Sequence, residues 1–271
     1  MLRTNQPHRR YTRGTVLTKA IVREPSRNFS DGETSVDLGK PDHALSLRQH
    51  EAYCHALESC GLSLIHLPAD ERHPDSTFVE DTAIVTERGA VITRPGAPSR
   101  VGEIEDIERT LREHYSDLKR ITEPGTVDGG DVCEAGDHFF IGISRRTNEA
   151  GAAQLALILE SFGYSSSLID IRGLSNILHL KSGMAYGGGN RLVVIGALSQ
   201  LKEFSTYELV HVNSNQEYAA NCLFINDRVL VPAGFPGLQR QLEDLNYPTI
   251  ALEMSEFRKM DGGLSCLSLR F

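Results

Sequence analysis

The feature that most restricts how this chain can fold is an order of elements that recurs along it. Two short apolar strands joined by a turn are followed by a helix and then by another strand. FVEDTAIV (78–85) turns at Glu87-Arg88-Gly89 into AVITRP (90–95). The next stretch places Val101, Ile104, Ile107, Leu111 and Tyr115 on one helical stripe, and LKRIT (118–122) follows. GDVCEAGDHFFIGIS (130–144) turns near Gly136-Asp137, leads to a helix capped by Asn148 and stopped at Gly163, and ends in SSLIDI (166–171). SGMAYGGGNRLVVIG (182–196) is followed by a short helical stretch near 199–203 and by YELVHV (207–212). AANCLFINDRVLVPAG (219–234), with Asn226-Asp227 at its turn, precedes a helix marked by Leu238, Leu242 and Leu245 and the strand TIALEM (249–254). YGGGN (186–190) lacks the phosphate-loop Lys and dinucleotide-binding spacing and reads as a hairpin turn.

The remaining segments complete the pattern. GTVLTKAIV (14–22) is a strand without a first partner, Pro41 to Cys60 is a helix, and LSLIHL (62–67) is the strand after it. Pairing of the C-terminal GGLSCLSLRF (262–271) with the first strand supplies the missing partner. The expectation is an α/β fold: a five-bladed, pseudo-symmetric α/β propeller of ββαβ units, closed by its N- and C-terminal strands, which removes exposed sheet edges. An ordinary α/β or α+β sheet with hairpins is the alternative that the pattern alone leaves open. No Ser- or Pro-rich linker interrupts the chain, so residues 1–271 read as a single catalytic domain.

Composition narrows the chemistry. Twenty-eight Lys and Arg against 36 Asp and Glu give a net charge of -8, a poor match to a phosphate backbone and compatible with a small cationic substrate. The five cysteines are odd in number and irregularly spaced, which argues against a disulfide framework or a zinc site and for a reducing cytoplasm. The basic N-terminus, MLRTNQPHRRYTRG, lacks the apolar core of a secretory signal, and no apolar run is long enough to span a membrane.

Polar residues gather just before, or at the start of, the first strand of each unit: Glu80 and Asp81, Asp128 and Asp131, His179, Asn221 and Cys222, Asp261 and Cys266. In a ring these positions face one end of the central channel. Taken singly, each has an ordinary explanation: an Asp there is usually a turn former, a His between leucines a core residue, a Cys a small packing group. Glu80 and Asp81 stand out because adjacent carboxylates in an apolar strand are costly without a cation or donors. Cys54, Cys60, Cys133 and Cys222 read as packing. A thiol, an imidazole and several carboxylates together suit attack on a planar guanidinium: carboxylates hold it, a thiolate attacks its carbon, and an imidazole protonates the departing amine.

The segments STFVEDTAIV, VITRPGAPSR, TVDGGDV, SRRTNEAG, LHLKSG, YAANCLF and DGGLSCLSLRF, with DGETSVDLGKPDHAL nearer the N-terminus, together resemble the dimethylarginine dimethylaminohydrolase family of the guanidine-modifying superfamily. The resemblance runs from about residue 14 to the C-terminus. It implies a five-bladed propeller and hydrolysis of Nω-methylated arginines to citrulline and a methylamine through a covalent thiouronium on Cys. By match to the family motifs, Cys266 is the expected nucleophile, His179 the general acid and base, and Asp128 the support of His179 and of the substrate. Glu80 and Asp81 are expected at the substrate, Asp81 at the guanidinium, with Asp75 at the α-amino group. Arg100 and Arg146 are expected on the α-carboxylate, and the Met260 carbonyl in the pocket. A mobile loop that usually presents a Leu carries Glu33 here; its carbonyl is expected to accept from the substrate, and its side chain makes that loop more polar.

No cofactor and no metal are implied, and the expected partner is a small molecule, with no nucleic acid, no membrane, and a homodimer as one assembly the chain could form. The alternatives are an arginine deiminase releasing ammonia from unmethylated arginine and a non-catalytic arginine-binding protein.

Overall fold

The computed structural model describes residues 16–271. Gly14 and Thr15 of the expected first strand, and the basic N-terminus before them, lie outside the described residues. The strands are β1 (Lys19–Arg23), β2 (Ser63–Leu67), β3 (Ala83–Thr86), β4 (Gly89–Ile92), β5 (Leu118–Arg120), β6 (Val132–Ala135), β7 (His138–Ile143), β8 (Ser165–Asp170), β9 (Met184–Tyr186), β10 (Arg191–Val194), β11 (Glu208–His211), β12 (Leu223–Ile225), β13 (Arg228–Pro232), β14 (Thr249–Leu252) and β15 (Leu269–Arg270). They form five three-stranded sheets: β15-β1-β2, β3-β4-β5, β6-β7-β8, β9-β10-β11 and β12-β13-β14. In every sheet the central strand runs antiparallel to its first neighbour and parallel to the other, the register that a hairpin plus a crossover produces. The ring closes through the short pairing Ala20↔Arg270 and Ile21↔Leu269.

Local chemistry sets the turns and helix ends. Gly136, Gly188, Gly189, Asn190 and Asn226 carry positive φ at the hairpins, so YGGGN is indeed a turn. Helices α1 (His43–Ser59), α2 (Ile104–Arg112), α3 (Glu149–Ser161) and α4 (Pro236–Asp244) bridge parallel strands, and a short α5 (Ser255–Arg258) follows β14. The Asp42 side chain caps α1 through Leu45 N–H and Asn148 caps α3 through Gly151 N–H. Helix α3 lays Ala152, Leu155 and Leu159 on Phe139 and Ile141. Two expectations need correction. Val101 is exposed, because 98–103 is a 3₁₀ segment that rotates it off the stripe carrying buried Ile107 and Leu111. The 199–203 stretch is replaced by two 3₁₀ turns, 196–198 and 202–204.

The site depends on what precedes each first strand. FVEDTAIV is not a strand throughout: 79–82 is a 3₁₀ turn and β3 begins at Ala83. Equivalent turns stand at 129–131, 180–182, 214–220 and 265–267. Turn 265–267 packs on 79–82, which packs on 129–131, which packs on 180–182, which packs on 214–220. The circle is completed by side chains, since Asn221 Nδ2 donates to Ser265 Oγ (3.1 Å) and Ser265 N–H to Asn221 Oδ1 (2.9 Å). One end of the propeller is thus a ring of turns, each carrying a polar residue. Among the described residues no helix is long and apolar enough to cross a membrane.

Candidate active site

Cys266 sits in the 265–267 turn, half-buried, while Cys54, Cys60, Cys133 and Cys222 are buried and unpaired. Cys222 precedes β12 rather than lying in it, yet still packs in the core. The Cys266 Sγ accepts from Gly263 N–H at 3.4 Å. Burial, and then the charges of Glu80 and Asp81, push its thiol up to about 12.

His179 precedes the 180–182 turn, buried. Its Nε2 donates to Asp128 Oδ2 at 3.1 Å, and Asp128, fully buried, also accepts from Gly96 N–H at 2.7 Å through Oδ1. Burial by itself would lower the imidazole pKa, but Asp81, Asp131 and Asp128 outweigh it and raise it to about 9. Asp131 also fixes this turn, accepting from Leu180 N–H (3.0 Å) and Ser144 Oγ (2.6 Å). Gly130 is required here, because a Cβ would lie 2.7 Å from His179 Nδ1 and 3.0 Å from Asp81 Oδ1.

Glu80 and Asp81, adjacent in a 3₁₀ turn rather than a strand, point to different places. Asp81 accepts from Gly130 N–H (2.8 Å) and Arg100 Nη1 (2.6 Å). Burial acts to raise its pKa, but His179 and Arg100 overcome this and hold it below the ordinary carboxylate value. Glu80, expected at the substrate, is not among the residues that line the cavity. Its Oε1 accepts from Lys181 Nζ (2.7 Å) and its Oε2 from Ser265 Oγ (2.7 Å), which anchors the residue beside Cys266. The sequence placed two carboxylates together; a tight turn separates their directions.

Arg100 lines the cavity, as expected of a site residue, while most of its fork is held by neighbouring groups. It is buried, with Nε and Nη2 on the Glu103 carboxylate (3.0 and 2.8 Å), Nη2 also on the Phe78 carbonyl (3.1 Å), and Nη1 on Asp81. Its fork is therefore largely engaged internally. Glu103 was not singled out from sequence, although its position three residues after Arg100 on a helical turn was a usable signal.

The cavity at the ring's mouth has a volume of about 30 Å³ and is lined by Glu33, Asp75, Phe78, Asp81, Arg100, Arg146, Leu178, His179, Met260, Asp261, Gly262 and Cys266. Glu80 and Asp128 stand behind this lining. Phe78, Leu178 and Gly262 complete it with apolar and backbone surface. Among the described residues, Asp81, Asp128 and His179 have ligand atoms within 4.8 Å of one another, close enough to hold a metal. Their lone pairs are directed at Arg100, Gly130, Gly96 and one another, so the imidazolium itself supplies positive charge between the carboxylates.

A five-bladed α/β propeller with a thiol, an imidazole and carboxylates converging at one mouth defines the guanidine-modifying class of enzymes. Comparison with known proteins narrows this. The chain is 48% identical over 252 residues to the N(G),N(G)-dimethylarginine dimethylaminohydrolase of Pseudomonas aeruginosa, covering 93% of this chain and 98% of that protein. It is 35% identical to the enzyme of the same name from Streptomyces coelicolor, covering 93% and 96% of the two chains. A solved structure of the Pseudomonas aeruginosa protein, a Cys-to-Ser mutant complexed with citrulline, superposes with a TM-score of 0.92 at 46% identity, covering 94% of this chain and all of the other. No protein-family model matches. The chain belongs to the dimethylarginine dimethylaminohydrolase family.

Proposed function

We propose that this chain hydrolyses Nω-methylated arginines, asymmetric dimethylarginine and monomethylarginine, to L-citrulline and dimethylamine or methylamine, acting as one catalytic domain. The observation that carries the reading is the convergence of Cys266, His179 and Asp81 on one cavity from three separate turns. Membership in a family whose relatives bear that activity in their names supports it.

The geometry supports the following steps. The substrate guanidinium lies against Asp81, a carboxylate at neutral pH, with Asp75 and Arg146 at the amino-acid end. The Met260 carbonyl and the loop at Glu33 close the pocket. A cation brought beside Cys266 offsets the field of Glu80 and Asp81, and so lowers the thiol pKa where the thiolate is needed. The thiolate forms a C–S bond to the guanidinium carbon. The C–N bond to the methylated nitrogen breaks, and that amine takes the His179 proton as it leaves. The resulting thiouronium is attacked by water, with neutral His179 accepting a proton. The C–S bond then breaks as the remaining hydroxyl proton passes to solvent, returning the thiolate and releasing the ureido group of citrulline. Asp128 holds the ring and favours its charged form.

The net charge of -8 and the small cavity favour a small cation over nucleic acid, and five unpaired cysteines favour a reducing cytoplasm. Citrulline formation from asymmetric dimethylarginine, monomethylarginine and arginine, measured without added metal, tests the assignment. Turnover of the methylated substrates supports it; turnover of arginine alone shows a deiminase; tight binding of all three without product shows a binding protein.

A further inference from the structure

We infer that Glu33 is a specificity-determining latch: it occupies, with its own backbone N–H and its own carboxylate, the places that the α-ammonium and α-carboxylate of the substrate must take. This rests on the reading of the cavity as a methylarginine site and deepens it.

Three contacts carry the inference. The Glu33 N–H donates to Asp75 Oδ2 at 3.0 Å. Its Oε2 accepts from Arg146 Nη2 at 2.7 Å, and its Oε1 from the Ser99 hydroxyl. An amino-acid substrate offers the same two groups, an N–H cation for a carboxylate and a carboxylate for a guanidinium. Arg146 Nη1 is buried and makes no hydrogen bond among the described residues, so Glu33 fills only one arm of a fork shaped for two carboxylate oxygens. Gly32 permits the close approach, since a Cβ there would lie 2.2 Å from Asp75 Oδ1. The far side of the loop is tied down as well: Thr34 Oγ1 donates to the Lys259 carbonyl (2.9 Å) and Ser35 N–H to Asp261 Oδ2 (2.5 Å). With these contacts made, the two polar groups at this end of the cavity, Asp75 and Arg146, are both engaged by Glu33. An α-amino acid must displace the Glu33 carboxylate from Arg146 to seat its own α-carboxylate there. A decarboxylated guanidine carries no carboxylate, leaves Glu33 on Arg146 and does not compete with the latch.

A latch closed in about nine of ten molecules raises the apparent KM about tenfold and leaves kcat to the reacting groups. The simple electrostatic view predicts the opposite, because removing an acidic residue from the mouth of a cation-binding pocket should raise KM. The test compares wild type with Glu33→Leu and Glu33→Gln on asymmetric dimethylarginine and on its decarboxylated analogue, dimethylagmatine. The latch predicts that Glu33→Leu lowers KM for the amino acid by about three- to tenfold with kcat within about twofold, and does not lower it for the analogue. An unchanged or higher KM for the amino acid, or an equal fall for both compounds, overturns it. Ser99→Ala should lower KM in the wild-type background and add nothing in Glu33→Leu; an equal fall in both backgrounds also overturns it. If wild type turns over no methylarginine, the proposed function fails separately. The latch is then read from calorimetry with L-citrulline, which Glu33→Leu must bind more tightly; unchanged affinity refutes it.

Discussion

Asp128→Asn keeps the shape of a buried side chain and removes its charge. Asp128 is fully buried, accepts from Gly96 N–H at 2.7 Å, and faces His179 Nε2 at 3.1 Å. An Asn that keeps the bond from Gly96 turns its NH₂ toward His179, where two donors meet unless Nε2 gives up its proton. The lost bond is charge-assisted and worth about 1.5–3 kcal/mol, or about 1–2 pKa units at about 1.36 kcal/mol each. His179, held at about 9 in the native protein, should fall to about 7.5, still raised by Asp81 and Asp131. At a working pH of about 8.5 the protonated fraction then drops from about 0.76 to about 0.09, an eightfold loss of the general acid that is absent near pH 6. The assay is an NMR titration of labelled His179 in both proteins, with kcat measured across the same range and thermal melts to confirm folding. A His179 pKa in Asp128→Asn within about 0.3 units of wild type would refute the role given to Asp128.

Three further outcomes are expected. Alkylation of Cys266 by iodoacetamide in the substrate-free enzyme should climb without a plateau as pH rises from 7 to 10, because burial and two carboxylates hold the thiol near 12; a plateau below pH 9 would contradict that. Thermal stability should carry a His179 component of definite sign. A folded pKa of about 9 above the ordinary 6.5 stabilises fully below pH 6.5, and this is lost as pH rises through 9, so the wild-type Tm should fall over that window more than that of His179→Gln. Leu155→Ala, at a fully buried position of α3, should lower the unfolding free energy by about 2–5 kcal/mol in denaturant melts while leaving KM unchanged.

The propeller was legible because its turns are chemically marked. Gly136, Gly188 and Asn226 announce hairpins, the apolar runs on either side supply paired strands, and helix signals separate one unit from the next. Even the two-residue strand β15 followed from counting, since the first hairpin half had no partner. Directions of side chains were not legible. Glu80 and Asp81 share a sequence neighbourhood, but a 3₁₀ turn sends one to Lys181 and Ser265 and the other to the cavity. Arg100 matched a motif, yet whether its fork faces solvent or Glu103 depends on the helical turn that carries both. The Asn221–Ser265 bridge joins residues 44 positions apart, which no local pattern encodes. Glu33 shows the converse: its position over the site was readable, but its partners belong to three different loops.

The claim that most needs a direct measurement is that Cys266 forms a covalent bond to the guanidinium carbon. Acid quenching of the enzyme during steady-state turnover of asymmetric dimethylarginine, followed by intact-mass and peptide mass spectrometry, makes it. The expected result is an adduct equal in mass to the substrate minus dimethylamine, confined to the peptide bearing Cys266 and absent from Cys266→Ser, which also yields no citrulline. Turnover without any adduct, an adduct on another residue, or undiminished citrulline release by Cys266→Ser would contradict it.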